Sequence, residues 1–112
     1  MKRVAGLLLL ALLLTGCVTG AHLVTGKARA SFAPDAVRIY QAIPPNAEVI
    51  GTVIAQSIGN DQRAMDRGVT ELKRQAAQIG ANGLVIGIPA QTAGGFLVSP
   101  TIQLNARAFH LP

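Results

Sequence analysis

The sequence predicts one small two-layer α+β domain, with a single helix laid on one face of a β-sheet and the element order ββαββ. Three observations predict it. Met65, Val69, Leu72, Ala76 and Ile79 fall within an arc of roughly 80° at 100° per residue, the stripe of a helix with one buried face. TIQLNARAF, at 101–109, alternates apolar and polar residues with the period of a half-buried strand. LVIGI, at Leu84–Ile88, is a continuous apolar run of strand length, which reads as a strand covered on both faces.

Ahead of the domain, Lys2 and Arg3 precede an apolar run from Val4 to Leu14. That run is shorter than the roughly 20 residues a helix needs to cross a bilayer, and it has the pattern of a secretory signal over residues 1–16. Leu14-Thr15-Gly16-Cys17 resembles the lipobox of bacterial lipoprotein precursors. The resemblance implies that the Cys17 thiol receives a diacylglyceryl group, that the chain is cut before it, and that the new amine is acylated. The chemistry suits the residue, because a thiolate is the nucleophile a thioether requires. Several acyl chains together anchor far more firmly than one. Val18 stands where an Asp would retain an enteric lipoprotein in the inner membrane, so the expected location is the outer membrane, facing the periplasm.

Cys17 is the only cysteine, so no internal disulfide is available and the fold must hold through its core. Losing Lys2 and Arg3 leaves eight basic residues against five acidic ones, a formal charge of +3. That is no footprint for nucleic acid. Residues 17–35, rich in Gly, Thr, Ser and Ala, read as a lipidated N-terminus and flexible tether, with His22 and Ser31 as solvated linker. The compact domain is then 36–110, near the size at which one core is only marginally sufficient.

Within it, VRIYQAI (37–43) alternates as a first strand and is broken by Pro44-Pro45-Asn46. AEVIGTVIAQS (47–57) is a second, with Gly51 marking a bulge or a close approach. Asn60 or Asp61 caps the helix, and Gly80 takes the left-handed position that ends it. Pro89–Pro100, interrupted by Gly94-Gly95, is a mobile loop or loose hairpin before the closing strand.

VRIY at 37–40 and LKRQAAQIGANGLVIG at 72–87 together resemble the small-domain family that contains the Rcs envelope-stress sensor lipoprotein and the YbjQ-like proteins. The resemblance implies a tethered outer-membrane lipoprotein with this fold and a sensing role. The sensor carries disulfides in its domain and a longer, proline-rich tether, so signalling through disulfide assembly does not carry over.

Two surfaces are expected to make contacts. Arg38, Tyr40, Gln103, Asn105 and Arg107 should share the sheet face away from the helix, a mixture that includes residue types enriched at interaction hot spots. Arg63, Arg67 and Arg74 should share the helix face opposite the apolar stripe, where they could meet an anionic polymer or headgroups, or pair with Glu71. No metal site is expected, since His22 and His110 stand without other ligands. No cofactor is expected beyond the acyl chains on Cys17. Catalytic residues are not expected either: Ser57 or Ser99 with His110 and Asp61 or Asp66 lack an elbow motif. The reading is a non-enzymatic, lipid-anchored envelope protein acting through protein contact or self-association. The alternative is a binding module for an anionic polymer or small ligand, using the arginines or the 89–100 loop.

Overall fold

The alternation of TIQLNARAF builds the middle of the sheet. A computed structural model describes residues 18–112; Cys17 and residues 1–16, the expected signal segment, lie outside the described residues. The strands are β1 (Val18–Val24), β2 (Arg38–Tyr40), β3 (Glu48–Ile58), β4 (Gly83–Ile86), β5 (Ala90–Thr92) and β6 (Thr101–His110), with helix α1 (Gln62–Gln78) between β3 and β4. Their spatial order is β1-β3-β6-β4-β2, and β5 continues the β4 side of β6. All pairs are antiparallel except β2 with β4. The class is the predicted one, a small α+β domain with one helix on a mixed six-stranded sheet. The element order differs, because the sequence pattern does not reveal strands β1 and β5.

One side chain in two along β6, namely Ile102, Leu104, Ala106 and Ala108, turns toward the helix and is buried. Ile50, Val53 and Ala55 of β3, Leu84 of β4, and Ala64, Leu72 and Ala76 of the helix complete one core. Gly51 sits where the β3–β6 register shifts, and a side chain there would meet the Leu23 carbonyl oxygen at 2.1 Å. Both readings of that glycine hold.

The helix ends behave as the caps dictate. Asp61 Oδ1 accepts from the Ala64 N–H at 3.0 Å. At the other end Gly80 has φ +83°. The Gly80 N–H donates to the Ala77 carbonyl and the Ala81 N–H to the Ala76 carbonyl, the paired bonds of a Schellman stop.

The expected tether is a correction. From Val18 to Val24 it is an edge strand paired with β3 along its whole length, Val18 opposite Ser57 and Val24 opposite Gly51. The chain then straps across the helix C-terminus. Arg29 N–H donates to the Ile79 carbonyl and Phe32 N–H to the Ala77 carbonyl, supplying donors that a helix end lacks within itself. The Arg29 guanidinium pairs with Glu48 at 2.6 Å. His22 is likewise no solvated linker, since its Nδ1 is 2.6 Å from Gln75 Oε1.

Three smaller differences follow from edges. The strand expected over 37–43 shortens to β2, with Val37 buried and Ile39 half exposed, because it is an outer strand beyond the helix. The strand expected over 84–88 ends at Ile86, leaving Ile88 93% exposed. It is covered by the helix layer on the Leu84 side only. The buried arc of α1 is rotated by roughly 50° from the apolar stripe, at 100° per residue. It includes Gly68, Glu71 and Gln75 because β1 extends the sheet beneath that side.

Candidate functional site

Strand register settles which side chains share the outer face of the sheet. Tyr40 is opposite Val85, Val85 opposite Arg107, and Arg107 opposite Thr52, so these four form one cross-strand row. Arg38 stands in the next row with Gly83 and Phe109. Asn105 is opposite Ile54, and Gln103 is opposite Gln56 and Ala90. The expected five residues therefore lie on one face, away from the helix, with exposed Ile54 among them. A shallow hollow of about 220 Å³ lies on this face, lined by Thr52, Val85, Gly87, Asn105, Ala106 and Arg107. It is smaller than the usual ligand cavity of roughly 300 Å³ or more.

Alternation places Phe109 with the polar residues of this face, yet its exposure is 0%. Its ring lies over Gly83 and against Tyr40, with centroids 5.2 Å apart and planes tilted by 60°. Tyr40 is thus half-buried by an aromatic contact, and its outward presentation is set by Phe109 rather than by strand alternation alone.

The three arginines are differently placed. Arg74 forks onto Glu71, its Nε donating to Oε2 at 2.7 Å and its Nη2 donating to Oε1. Arg67 Nη2 donates to the Ile58 carbonyl at 2.7 Å, leaving its expected pairing with Glu71 unformed. Arg63 is exposed near the start of the helix. Glu71 itself is buried, where a surface pair would leave it in solvent. Gln75 Nε2 donates to Glu71 Oε1 at 3.1 Å, which turns Gln75 Oε1 toward His22 and makes His22 Nδ1–H the donor there. Edge strand and helix are therefore joined by a polar chain, His22–Gln75–Glu71–Arg74. The Arg74 hydrogen bond, then that of Gln75, holds the Glu71 carboxyl below the usual range against the opposing effect of burial. The same bond raises Arg74.

The serine–histidine combinations are separated by the sheet. Ser57 is opposite Ile102, and His110 lies at the far end of β6 opposite Glu48. Eight residues of strand at about 3.4 Å each put roughly 27 Å between those positions. Ser99 precedes β6 at the Ser57 end, and Asp61 there is engaged as the helix cap. Asp66 accepts from Gln62 at 2.8 Å. His110 instead stacks on Phe32, centroids 6.0 Å apart. Among the described residues no three His, Cys, Asp or Glu side chains gather as a metal site. No described helix is long and apolar enough to cross a membrane.

A larger open groove, about 470 Å³, lies where β1 starts and β3 ends. Thr19, Gln56, Ile58, Leu97, Val98 and Thr101 line it. Beside it the 89–100 segment, after β5, folds back in a tight turn: Gly95 N–H donates to the Val98 carbonyl and Val98 N–H to the Gly95 carbonyl. Phe96 and Leu97 at its tip are 93% and 92% exposed. Reading this loop by its prolines and glycines gives only its punctuation. The three consecutive apolar residues between Gly95 and Ser99 are the signal that such a reading passes over.

With this geometry in hand, the chain is similar in fold to a solved structure, that of the Francisella virulence factor FvfA. The two share 22% identity at a TM-score of 0.66, over 84% of this chain and 99% of that one. No family model matches the chain. No curated protein matches it either.

Proposed function

We propose that the chain is a lipid-anchored, non-enzymatic protein of the bacterial cell envelope, held in the outer membrane through acyl chains on Cys17 and facing the periplasm. It works by binding another envelope protein through the outer face of its sheet, as a sensor accessory or a structural component. The resemblance of residues 37–40 and 72–87 to the Rcs sensor and YbjQ-like proteins favours the same setting. The observation that carries the contact reading is the uncovered face on which Arg38, Tyr40, Gln103 and Arg107 stand together with Val85 and Ile54. A tyrosine and arginines around a small apolar hollow are the composition from which binding hot spots are built.

The test is a photo-crosslinking residue at position 40 in the membrane-anchored protein, compared with the same residue in a Cys17→Ala chain. A discrete crosslinked partner that disappears with Arg107→Glu supports the reading. A smear of unrelated neighbours, insensitive to Arg107, counts against it. Metabolic labelling with a fatty acid reports separately on the anchor, and an unlabelled wild-type chain would remove it.

The alternative, an anionic polymer on the arginine face, is weakened by the internal bonds of Arg67 and Arg74. A ligand in the 89–100 region has the groove beside Thr19 in its favour, and the apolar tip there has a more specific use.

A further inference from the structure

The first described residue, Val18, is the immediate neighbour of Cys17, about 3.8 Å away between Cα atoms. It is already in β1, opposite Ser57, with Thr19 opposite Gln56. An anchor at Cys17 is therefore joined to the sheet with no slack, in place of the free tether the composition suggested. Three other segments meet at this edge. Ile58 pairs with Thr101, Gly59 N–H donates to the Pro100 carbonyl at 2.7 Å, and the groove places Leu97 and Val98 beside Thr19.

This same edge carries an exposed apolar cluster beside the start of β1. Phe96 is 93% exposed, Leu97 92%, Val98 58% and Ile58 45%. Leu97 has φ +66°, a conformation disfavoured for a residue with a branched side chain, while the adjoining Gly94 and Gly95 do not adopt it. The turn thus holds leucine at its tip where glycine would fit with less strain. Exposed apolar side chains in a contiguous patch mark a contact with protein or membrane. Here covalent geometry selects the membrane, because an acylated Cys17 would keep the patch at headgroup level.

We propose that Phe96, Leu97, Val98 and Ile58 form a foot by which the domain sits in the interfacial layer of a phospholipid membrane, beside the acyl chains of Cys17. This rests on the lipid-anchored reading. The foot enters the boundary of headgroups and acyl chains, as apolar side chains of interfacial segments do, and fixes the orientation of the domain. The sheet's long direction then points away from the bilayer, with the Phe32–His110 end farthest from it. Asp61 and Asp66 balance Arg63 and Arg67 at this end of the helix, so the contact does not depend on anionic lipid.

The chain has no tryptophan, so Phe96→Trp introduces a single reporter at an exposed position. The full chain, processed in cells and reconstituted in phosphatidylcholine vesicles, should show indole emission shifted to shorter wavelength and lost when the acyl chains are brominated. Phe32→Trp, at the opposite end, should show neither. Phosphatidylcholine and phosphatidylglycerol mixtures should give the same result as phosphatidylcholine alone. Vesicle flotation and the mass of the N-terminal peptide report on the anchor independently. An acylated, floating Phe96→Trp protein whose emission stays unquenched overturns the foot and leaves the anchor standing. A non-acylated protein with a quenched reporter does the reverse, and one with an unquenched reporter overturns both. A blue shift that grows with protein concentration without lipid assigns the tip to another copy of the chain and overturns the proposal.

Discussion

The Phe109 ring occupies the space that a side chain on Gly83 would need: a Cβ there would stand 2.4 Å from Cε2 and 2.5 Å from Cζ. A glycine in a strand gives up packing and conformational economy, and here the aromatic ring covers the gap. The same ring supports Tyr40, so a backbone detail of β4 sets a side chain of the candidate contact face.

Gly83→Ala should therefore destabilise the domain by about 1–3 kcal/mol, the cost of overpacking a well-filled site. At this size each kcal/mol lowers the melting temperature by roughly 4–8 °C. The ring is fully buried and cannot swing aside. Phe109→Leu should cost stability alone yet relieve part of the Gly83→Ala defect in the double variant. Additive melting shifts in that cycle would contradict the contact.

A second prediction concerns the segment whose composition reads as a tether. At Gly51 the obstructing atom is the backbone oxygen of Leu23, which cannot rotate out of the way. Gly51→Ala should push β1 off the sheet edge while leaving the β3–β6 pairing in place. Hydrogen exchange is the measurement: amides of 18–24 should lose protection selectively, and those of β6 should not. Equal loss across the sheet would mean that β1 has no independent edge role.

What sequence can reveal follows from burial. The central strand β6 and the helix announce themselves because their buried positions recur at strand and helix periods. Gly51 and Gly80 are legible because only glycine fits a close approach or a left-handed stop. β1 leaves no such trace. It is an edge strand whose residues are nearly all exposed, and its strand character comes from pairing with β3, whose partner residues lie 27 to 39 positions away in sequence. Glu71 and Gln75 mislead for the same reason, being polar residues buried by a strand that composition does not predict. The outer-face set of Arg38, Tyr40, Gln103 and Arg107 is legible from alternation. The burial of Phe109 behind Tyr40 is not, since alternation gives a side and says nothing of what covers it.

The polar chain from β1 to the helix has a pH signature. The Glu71 carboxyl is held below its usual range, first by the Arg74 hydrogen bond and then by that of Gln75. A carboxyl whose folded value lies below its unfolded value binds protons more readily when unfolded. Its contribution to stability is thus complete above about pH 4.3, the unfolded value, and disappears as pH falls through the lower folded one. Arg74→Gln removes the largest favourable cause and leaves burial, which acts in the opposite direction. Urea unfolding followed across the acid range should show the variant less stable than the wild type near neutral pH and losing less stability as pH falls, because its folded carboxyl is no longer held below the unfolded value. Superimposable pH profiles would rule out a linkage through this pair.

The turn at Leu97 separates the needs of the fold from those of the proposed foot. A non-glycine residue at φ +66° bears a conformational cost of roughly 1–2 kcal/mol, and Leu97 recovers little of it, because its side chain is almost wholly exposed. Leu97→Gly removes that cost and also loosens the unfolded chain, which offsets part of the gain. The variant should therefore be as stable as the wild type or more so by up to about 1 kcal/mol in urea titrations. Its Phe96→Trp reporter, in the same acylated chain, should nevertheless be quenched less by brominated lipid, because an apolar side chain has been removed from the contact. If Leu97→Gly instead lowered stability, leucine would be serving the fold through packing. If stability rose with quenching unchanged, the contact would rest on Phe96, Val98 and Ile58 without it.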